Sequence, residues 1–386
     1  MFWHQLLFTS VLFLARLAGC AVIWLIGSQI FAQANKLPET GPRLVSEFPC
    51  PDPYVFKDGS DWYIFGTGAK PFFLQGRELG EGKMRRVSLD LDYAGFSARV
   101  AQVWGFIVYR HTDGTYHGYG TLHLGNFHTV IAYFVPRDSE KWADGRPITK
   151  WIFKRLLVGD PLRMDWKYYE SKILQDTDGT LYLMFVANTG RDNHIFAQRM
   201  KTPGEIDPAA PRRLMLRPEG YRSEDRNGPK GMQLVEGGSV FRYKGKYILL
   251  YSVGDYLLNN YKLGMAFSDS LIPPPRRGYR KYKLPDPKHI WGTSGHKDEV
   301  VYLLQSEKAA WPNHSRAYVA GPGLGSLVAD GNDLWLFFHG YKAEDKDRRP
   351  ENRYVYRLPV KLAVDTGGPV LHWLPTPAFE GSQYEN

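Results

Sequence analysis

Three carboxylates stand out by where they fall along the chain. Asp52 lies seven residues before Gly59, while Glu170 and Glu236 each lie nine residues before Gly179 and Gly245. Each glycine occupies a short turn between two runs rich in β-branched and aromatic residues, so each acid heads the first strand of a hairpin. Carboxyl groups do acid–base work when their environments separate their proton affinities. One ionised carboxylate activates water while a second, kept protonated, donates to a leaving oxygen, which is what cleavage of a glycosidic bond needs. A third carboxyl group nearby raises the donor's pKa by like-charge repulsion and can hold sugar hydroxyls. Taken singly, each acid reads as a surface residue, and Asp-Pro is an ordinary way to begin a strand. Their common placement carries the chemistry.

The elements that must position these acids are five copies of one hairpin. The first is Tyr54-Val55-Phe56-Lys57-Asp58-Gly59-Ser60-Asp61-Trp62-Tyr63-Ile64-Phe65, and its counterparts turn at Gly114, Gly179, Gly245 and Gly331. Glycine supplies the positive φ that tight hairpin turns demand. The spacing fits blades of four short strands with variable loops, so the sequence predicts an all-β, five-bladed β-propeller from about residue 45 to about 365. Residues 193–200, 261–267 and 353–360 offer third or fourth strands, and no stretch reads as a helix of three turns. A β-sandwich with coincidental hairpins is the competing fold; regular spacing over about 270 residues opposes it. In a propeller the starts of the inner strands converge on one end of the central channel. Acids from blades 1, 3 and 4 would therefore face one funnel.

The bulk properties agree with a large folded body. Of 386 residues, 43% are hydrophobic and 15% aromatic, too apolar for a disordered chain, and 39 Gly with 26 Pro suit many tight turns. The net charge of +9 comes from bases interleaved with acids, as in 299–308 and 342–349, without a basic stripe or nucleic-acid motif, so no nucleic-acid partner is expected. Within residues 1–34, Leu6–Ala15 and Leu17–Gly27 are almost wholly apolar, interrupted only by Arg16, and the segment ends in Phe31-Ala32-Gln33-Ala34. That pattern fits a cleaved signal peptide or a retained N-terminal membrane anchor. Either places residues 35–386, read as a single domain, outside the cytoplasm: secreted or periplasmic, or membrane-anchored. The two cysteines are Cys20, inside the leader, and Cys50, so the body has no internal disulfide, and Cys50 reads as a small buried hydrophobe.

At this point the chain resembles glycoside hydrolase family 43, the inverting arabinofuranosidase and xylosidase group, or a related clan branch. The resemblance is clearest at Pro51-Asp52-Pro53-Tyr54-Val55-Phe56-Lys57-Asp58-Gly59 and at Glu236-Gly237-Gly238-Ser239-Val240-Phe241, continuing through Gly245-Lys246-Tyr247 to Tyr261-Lys262-Leu263-Gly264. It implies that Asp52 is the general base and Glu236 the general acid. The family's third acid, an aspartate that orients substrate and tunes the donor, corresponds to Glu170, one methylene longer. Leu324 stands where many members carry a channel histidine that helps hold a central water or calcium ion; Leu cannot coordinate a metal, so no specific metal is assigned, and no cofactor is named. Phe338-His339-Gly340-Tyr341 matches the family's strand end. Trp104, Tyr169, Arg191 and His339 are the candidate sugar contacts, Trp104 through stacking. His111, His117, His123 and His128 have no convincing ligand spacing. The resemblance implies a hydrolase that cleaves arabinose- or xylose-type bonds in oligo- or polysaccharides with inversion. The alternative is a non-catalytic carbohydrate-binding or cell-envelope propeller.

Overall fold

The structure is a computed structural model that describes residues 42–373 except 127, 138–141, 143–145, 163–166, 189–191, 221–223, 225–231, 258–260, 276, 283–301, 306–318, 343–344, 346–347 and 366–367. Nearly everything regular among the described residues is strand, and the 3-10 turn described in full is Pro350–Asn352. Residues 1–34 lie outside the described residues, and no described helix is long and apolar enough to cross a membrane.

Five antiparallel sheets follow one another along the chain as five blades. Blade 1 comprises Tyr54–Asp58, Asp61–Gly66, Phe72–Gly76 and Arg85–Ser88. Blade 2 comprises Gln102–Arg110, Tyr116–His123, Thr129–Pro136 and Lys150–Val158, with Asp90–Asp92 added in parallel on its outer edge. The first three strands of blade 3 are Lys167–Gln175, Leu181–Asn188 and Asn193–Thr202; those of blade 4 are Glu236–Tyr243, Lys246–Val253 and Lys262–Ser268. Blade 5 comprises Ala320–Asp330, Asp333–Tyr341 and Tyr354–Asp365. The ring closes because Arg43–Leu44, from the other end of the chain, pairs with Tyr354–Asp365 at Arg43↔Arg357 and Leu44↔Tyr356. All five turn glycines expected from the sequence have positive φ, between 58° at Gly59 and 85° at Gly114 and Gly179.

The second strand of each blade reads as a continuous apolar run because both of its faces are covered. In Asp61–Gly66, Trp62 and Ile64 pack with Phe337 and Val355 of blade 5, while Tyr63 and Phe65 pack with Phe106 and Phe134 of blade 2. Alternation along one strand thus serves two neighbours. Further clusters fill the remaining seams: Ile107, Tyr119, Leu183 and Phe185 between blades 2 and 3; Val186, Ile195, Leu249 and Tyr251 between 3 and 4; Leu250, Leu263, Phe338 and Tyr356 between 4 and 5. Each fully buried side chain of this size contributes about 1.5–3 kcal/mol. Cys50 is buried among the blade 5–blade 1 residues, as expected, with its thiol against the Ile64 carbonyl.

Candidate active site

A backbone device repeated five times sets the site. Each inner strand begins through a residue in the left-handed region: Asp52, Gly105, Glu170, Gly237 and Leu324, with φ of 55°, 59°, 55°, 70° and 47°. In blades 2 to 5 the strand pairing skips there, between Trp104 and Ile107, Tyr169 and Lys172, Glu236 and Ser239, and Gly323 and Ser326. Such a bulge turns the chain into the channel and re-aims its side chains. A left-handed residue that carries a side chain costs about 1–3 kcal/mol, and strain of this kind gathers at functional sites. Two of the three strained positions are acids.

The N–H of the left-handed residue is the clasp between blades. Gly105 donates to Thr67 Oγ1 at 3.0 Å, Glu170 to Thr121 Oγ1 at 3.0 Å, Leu324 to Ser252 Oγ at 2.8 Å and Asp52 to His339 Nδ1 at 2.9 Å. Thr121, Ser252 and His339 hold the same register position on the second strands of blades 2, 4 and 5. Blade 3 has Val186 at that position, opposite Tyr169, and a valine accepts no hydrogen bond. There Gly237 N–H donates instead to the Glu170 carboxylate, at 2.5 Å. Glu170 is therefore bound to the residue that directly follows Glu236. The register also shows Glu236 one place earlier than Asp52 and Glu170, a difference hidden when residues are counted back from the turn.

Asp52 is held from blade 5. Arg353 Nη1 lies 2.8 Å from Oδ1 and Nη2 3.4 Å from Oδ2. Burial alone would raise the Asp52 pKa, but the Arg353 and His339 neighbours and the hydrogen bonds from Thr67 and Arg353 outweigh it and hold the carboxyl below its ordinary range. The Asp52 side chain stays 15% exposed, against 6% for Arg353 and 0% for His339, so water reaches the carboxylate while its supports stay dry. Burial, then Arg353, keeps the His339 ring uncharged, consistent with Nδ1 accepting the Asp52 N–H.

Glu236 receives two phenols: Tyr169 donates to Oε2 at 3.0 Å and Tyr261 to Oε1 at 2.9 Å. Asn193 Nδ2 in turn donates to the Tyr169 hydroxyl at 2.5 Å, and the Tyr261 ring stacks on His339 at 6.0 Å. Burial raises the Glu170 pKa well above the carboxylate range, reinforced by the charges of Glu236 and then Asp52; the Gly237 N–H and Lys172 act in the opposite sense. Glu170 thus feels both other acids, and the three form one electrostatic cluster. Two buried carboxyls that interact in this way titrate together, so the raised proton affinity belongs to Glu170 and Glu236 as a pair.

The secondary candidates fall differently. Trp104 stands one residue before Gly105, its ring stacked on His123 at 4.6 Å and its Nε1 donating to Gln102 Oε1. Tyr169 and His339, expected as sugar contacts, are turned to the acids, on Glu236 and on the Asp52 N–H. Arg191 lies outside the described residues. Arg353 and Tyr261 were missed as functional residues, although both head runs recognisable in the sequence as later strands. A shallow crevice of about 450 Å³, lined by His111, Asp178, Arg199 and Lys201, lies at the opposite, turn-side end of blades 2 and 3 and holds none of the acids. Among the described residues no group of three His, Cys, Asp or Glu side chains is arranged to hold a metal ion.

Comparison of the sequence with protein-family models and with curated proteins gives no match. Solved structures do match. A thermostable family-43 glycoside hydrolase superposes with a TM-score of 0.60 at 20% identity, covering 88% of this chain and 97% of that one. An α-L-arabinofuranosidase from Lactobacillus brevis gives 0.62 at 17% identity, over 83% of this chain and 93% of its own. An α-L-arabinanase from Cellvibrio cellulosa, solved with arabinohexaose, gives 0.56 at 16% identity, over 84% and 95%. At these identities the likeness is one of architecture: the chain has the five-bladed propeller fold that the family-43 glycoside hydrolase also has.

Proposed function

We propose that the protein is an inverting glycoside hydrolase acting on arabinose- or xylose-type bonds in oligo- or polysaccharides. The observation that carries this reading is the contrast among the acids: Asp52 is paired with Arg353 and partly open to water, whereas Glu170, tied to Gly237 beside Glu236, has its pKa pushed well above the carboxylate range. In the reaction Asp52 takes a proton from a water molecule as the water oxygen bonds to the anomeric carbon. The bond to the leaving oxygen breaks, and that oxygen receives the proton from Glu236. Glu170, tied to Gly237, orients the donor and keeps the proton in the pair. Trp104 offers an aromatic face at the mouth. The fold shared with the arabinanase solved with arabinohexaose supports the choice of sugar. The apolar segment 1–34 supports export or membrane attachment, with the propeller outside the cytoplasm.

The test is a glycan panel followed by proton NMR, with Asp52→Asn and Glu236→Gln alongside. Each variant should lose roughly a hundred- to ten-thousandfold in turnover, and the first product formed should have inverted anomeric configuration. Binding without turnover on every glycan would instead identify a carbohydrate-binding propeller, and retention of configuration would rule out the roles given to Asp52 and Glu236.

A further inference from the structure

The channel beneath the acids contains a base that the proposed reaction leaves unused. Lys172 lies two residues after Glu170 on the inner strand of blade 3, and its Nζ sits 4.7 Å from the centroid of the Tyr54 ring on the inner strand of blade 1. Blade 2 separates those blades, so the side chain reaches across the channel. Tyr54 is fixed in turn, its hydroxyl donating to the Val108 carbonyl of blade 2 at 3.1 Å. The same register position holds Ile107 in blade 2, Ser239 in blade 4 and Ser326 in blade 5, opposite Tyr119, Leu250 and Phe337. Lys172 is thus the one cation among the five, set where the inner strands meet.

We propose that Lys172 is a positioning residue whose ammonium, lying across the channel beneath Glu170 and Asp52, sets the number of protons the three acids carry. The inference rests on reading those acids as the working groups. The charged and titratable neighbours fit it. Glu170 and Tyr169 come from its own blade, Asp52 and Tyr54 from blade 1, and Glu236 and Tyr261 from blade 4. From blade 5, Arg353 is engaged by Asp52, and His339 is uncharged. On blade 2, Tyr109 and Arg110 lie towards the turn end, where Arg110 meets Asp58. Burial pushes the Lys172 amine down to about 8, against the pull of Glu170 and then Asp52. Its charge in turn opposes the rise in the Glu170 pKa. Without that charge the three acids would retain protons to higher pH, and Asp52 would be less readily ionised.

The experiment is an NMR titration of protein carrying ¹³C-labelled lysine and glutamate side chains, on the wild type, Lys172→Met and Lys172→Arg. The wild-type Lys172 signal should titrate near 8. The Glu170 midpoint should rise by about one pH unit in Lys172→Met and stay in place in Lys172→Arg. A lysine midpoint at the free value of about 10.4, which needs no variant to measure, would overturn the proposal, as would an unmoved Glu170 midpoint in a Lys172→Met protein of native near-ultraviolet circular dichroism. These signals come from the protein itself. If no glycan is turned over, the hydrolase reading fails while the titration still decides the role of Lys172. Where turnover is found, both limbs of its pH profile should move upward in Lys172→Met, which a mere channel plug would not cause.

Discussion

Arg353 and Asp52 form a two-point ion pair across the seam where the ring closes, with Nη1–Oδ1 at 2.8 Å and Nη2–Oδ2 at 3.4 Å. The pair explains how a largely buried aspartate stays ionised. Removing Arg353 strands that charge, and breaking a buried pair from one side typically costs about 3–5 kcal/mol. The folded-state pKa of Asp52 lies below its unfolded value, so the pair's contribution is present above that unfolded value and lost as pH falls through the folded one. Arg353→Met should therefore be strongly destabilised in urea at pH 7, and the gap to wild type should close below about pH 4. An equal gap at both pH values would mean that Arg353 acts through packing alone.

Val186 is the apolar member of an otherwise polar set of clasps. Val186→Thr places a hydroxyl where Gly237 N–H can donate to it, as Gly105, Glu170 and Leu324 donate to Thr67, Thr121 and Ser252. Stability should change by no more than about 1 kcal/mol. Glu170, released from Gly237, should take up its proton at higher pH, visible as an upward shift of its carboxyl signal and of the alkaline limb of activity.

Two glycines of the inner ring make a contrasting pair. A methyl group at Gly237 would meet Leu324 Cγ at 2.8 Å, whereas at Gly105 it would meet nothing within 4 Å. Both positions are left-handed, which costs an alanine about 1–2 kcal/mol. Gly105→Ala should lose that amount in chemical denaturation. Gly237→Ala should lose more and also displace Glu236, lowering kcat as well as stability.

Lys172 should be a stability liability with a pH signature. Its folded pKa is lowered, so the folded state is penalised below about 8, and the penalty fades as pH rises towards the unfolded value. Lys172→Met should melt at a higher temperature than wild type at pH 6 and lose that advantage near pH 10.5. A constant difference would trace to packing against Tyr54.

Trp104 directly precedes Gly105, the left-handed residue of the blade 2 inner strand, and stacks one face on His123. Trp104→Ala should raise KM about three- to tenfold with little change in kcat. A fall in kcat alone would place the tryptophan among the residues that align the acids.

Much of this arrangement was legible in the sequence. The hairpin turns were readable because glycine at positive φ is a local requirement, and Gly59, Gly114, Gly179, Gly245 and Gly331 all meet it. Once the turns were aligned, acids of blades 1, 3 and 4 came together. The offset of Glu236 was hidden because the turns differ in length and the bulges absorb a residue, features that counting along the chain does not record. Arg353 and Tyr261 were obscure for another reason. They act from the approach to third strands, where no turn residue marks the position, and their partners are 301 and 25 residues away. Lys172 read as an ordinary strand residue because nothing local reveals which side chain crosses the axis.

Closure of the ring by Arg43–Leu44 also dictates an order of assembly. Asp52 and the closing strand are made early, but Arg353 and His339 follow at the far end of the propeller, and the Cys50 N–H finds its acceptor only in the Arg353 carbonyl, at 2.9 Å. A growing chain therefore carries its proposed base for most of its synthesis without the counter-charge that offsets its burial in the folded state. Contacts this distant in sequence form slowly, so the Asp52 side of the acid cluster is completed only where the two ends of the propeller join.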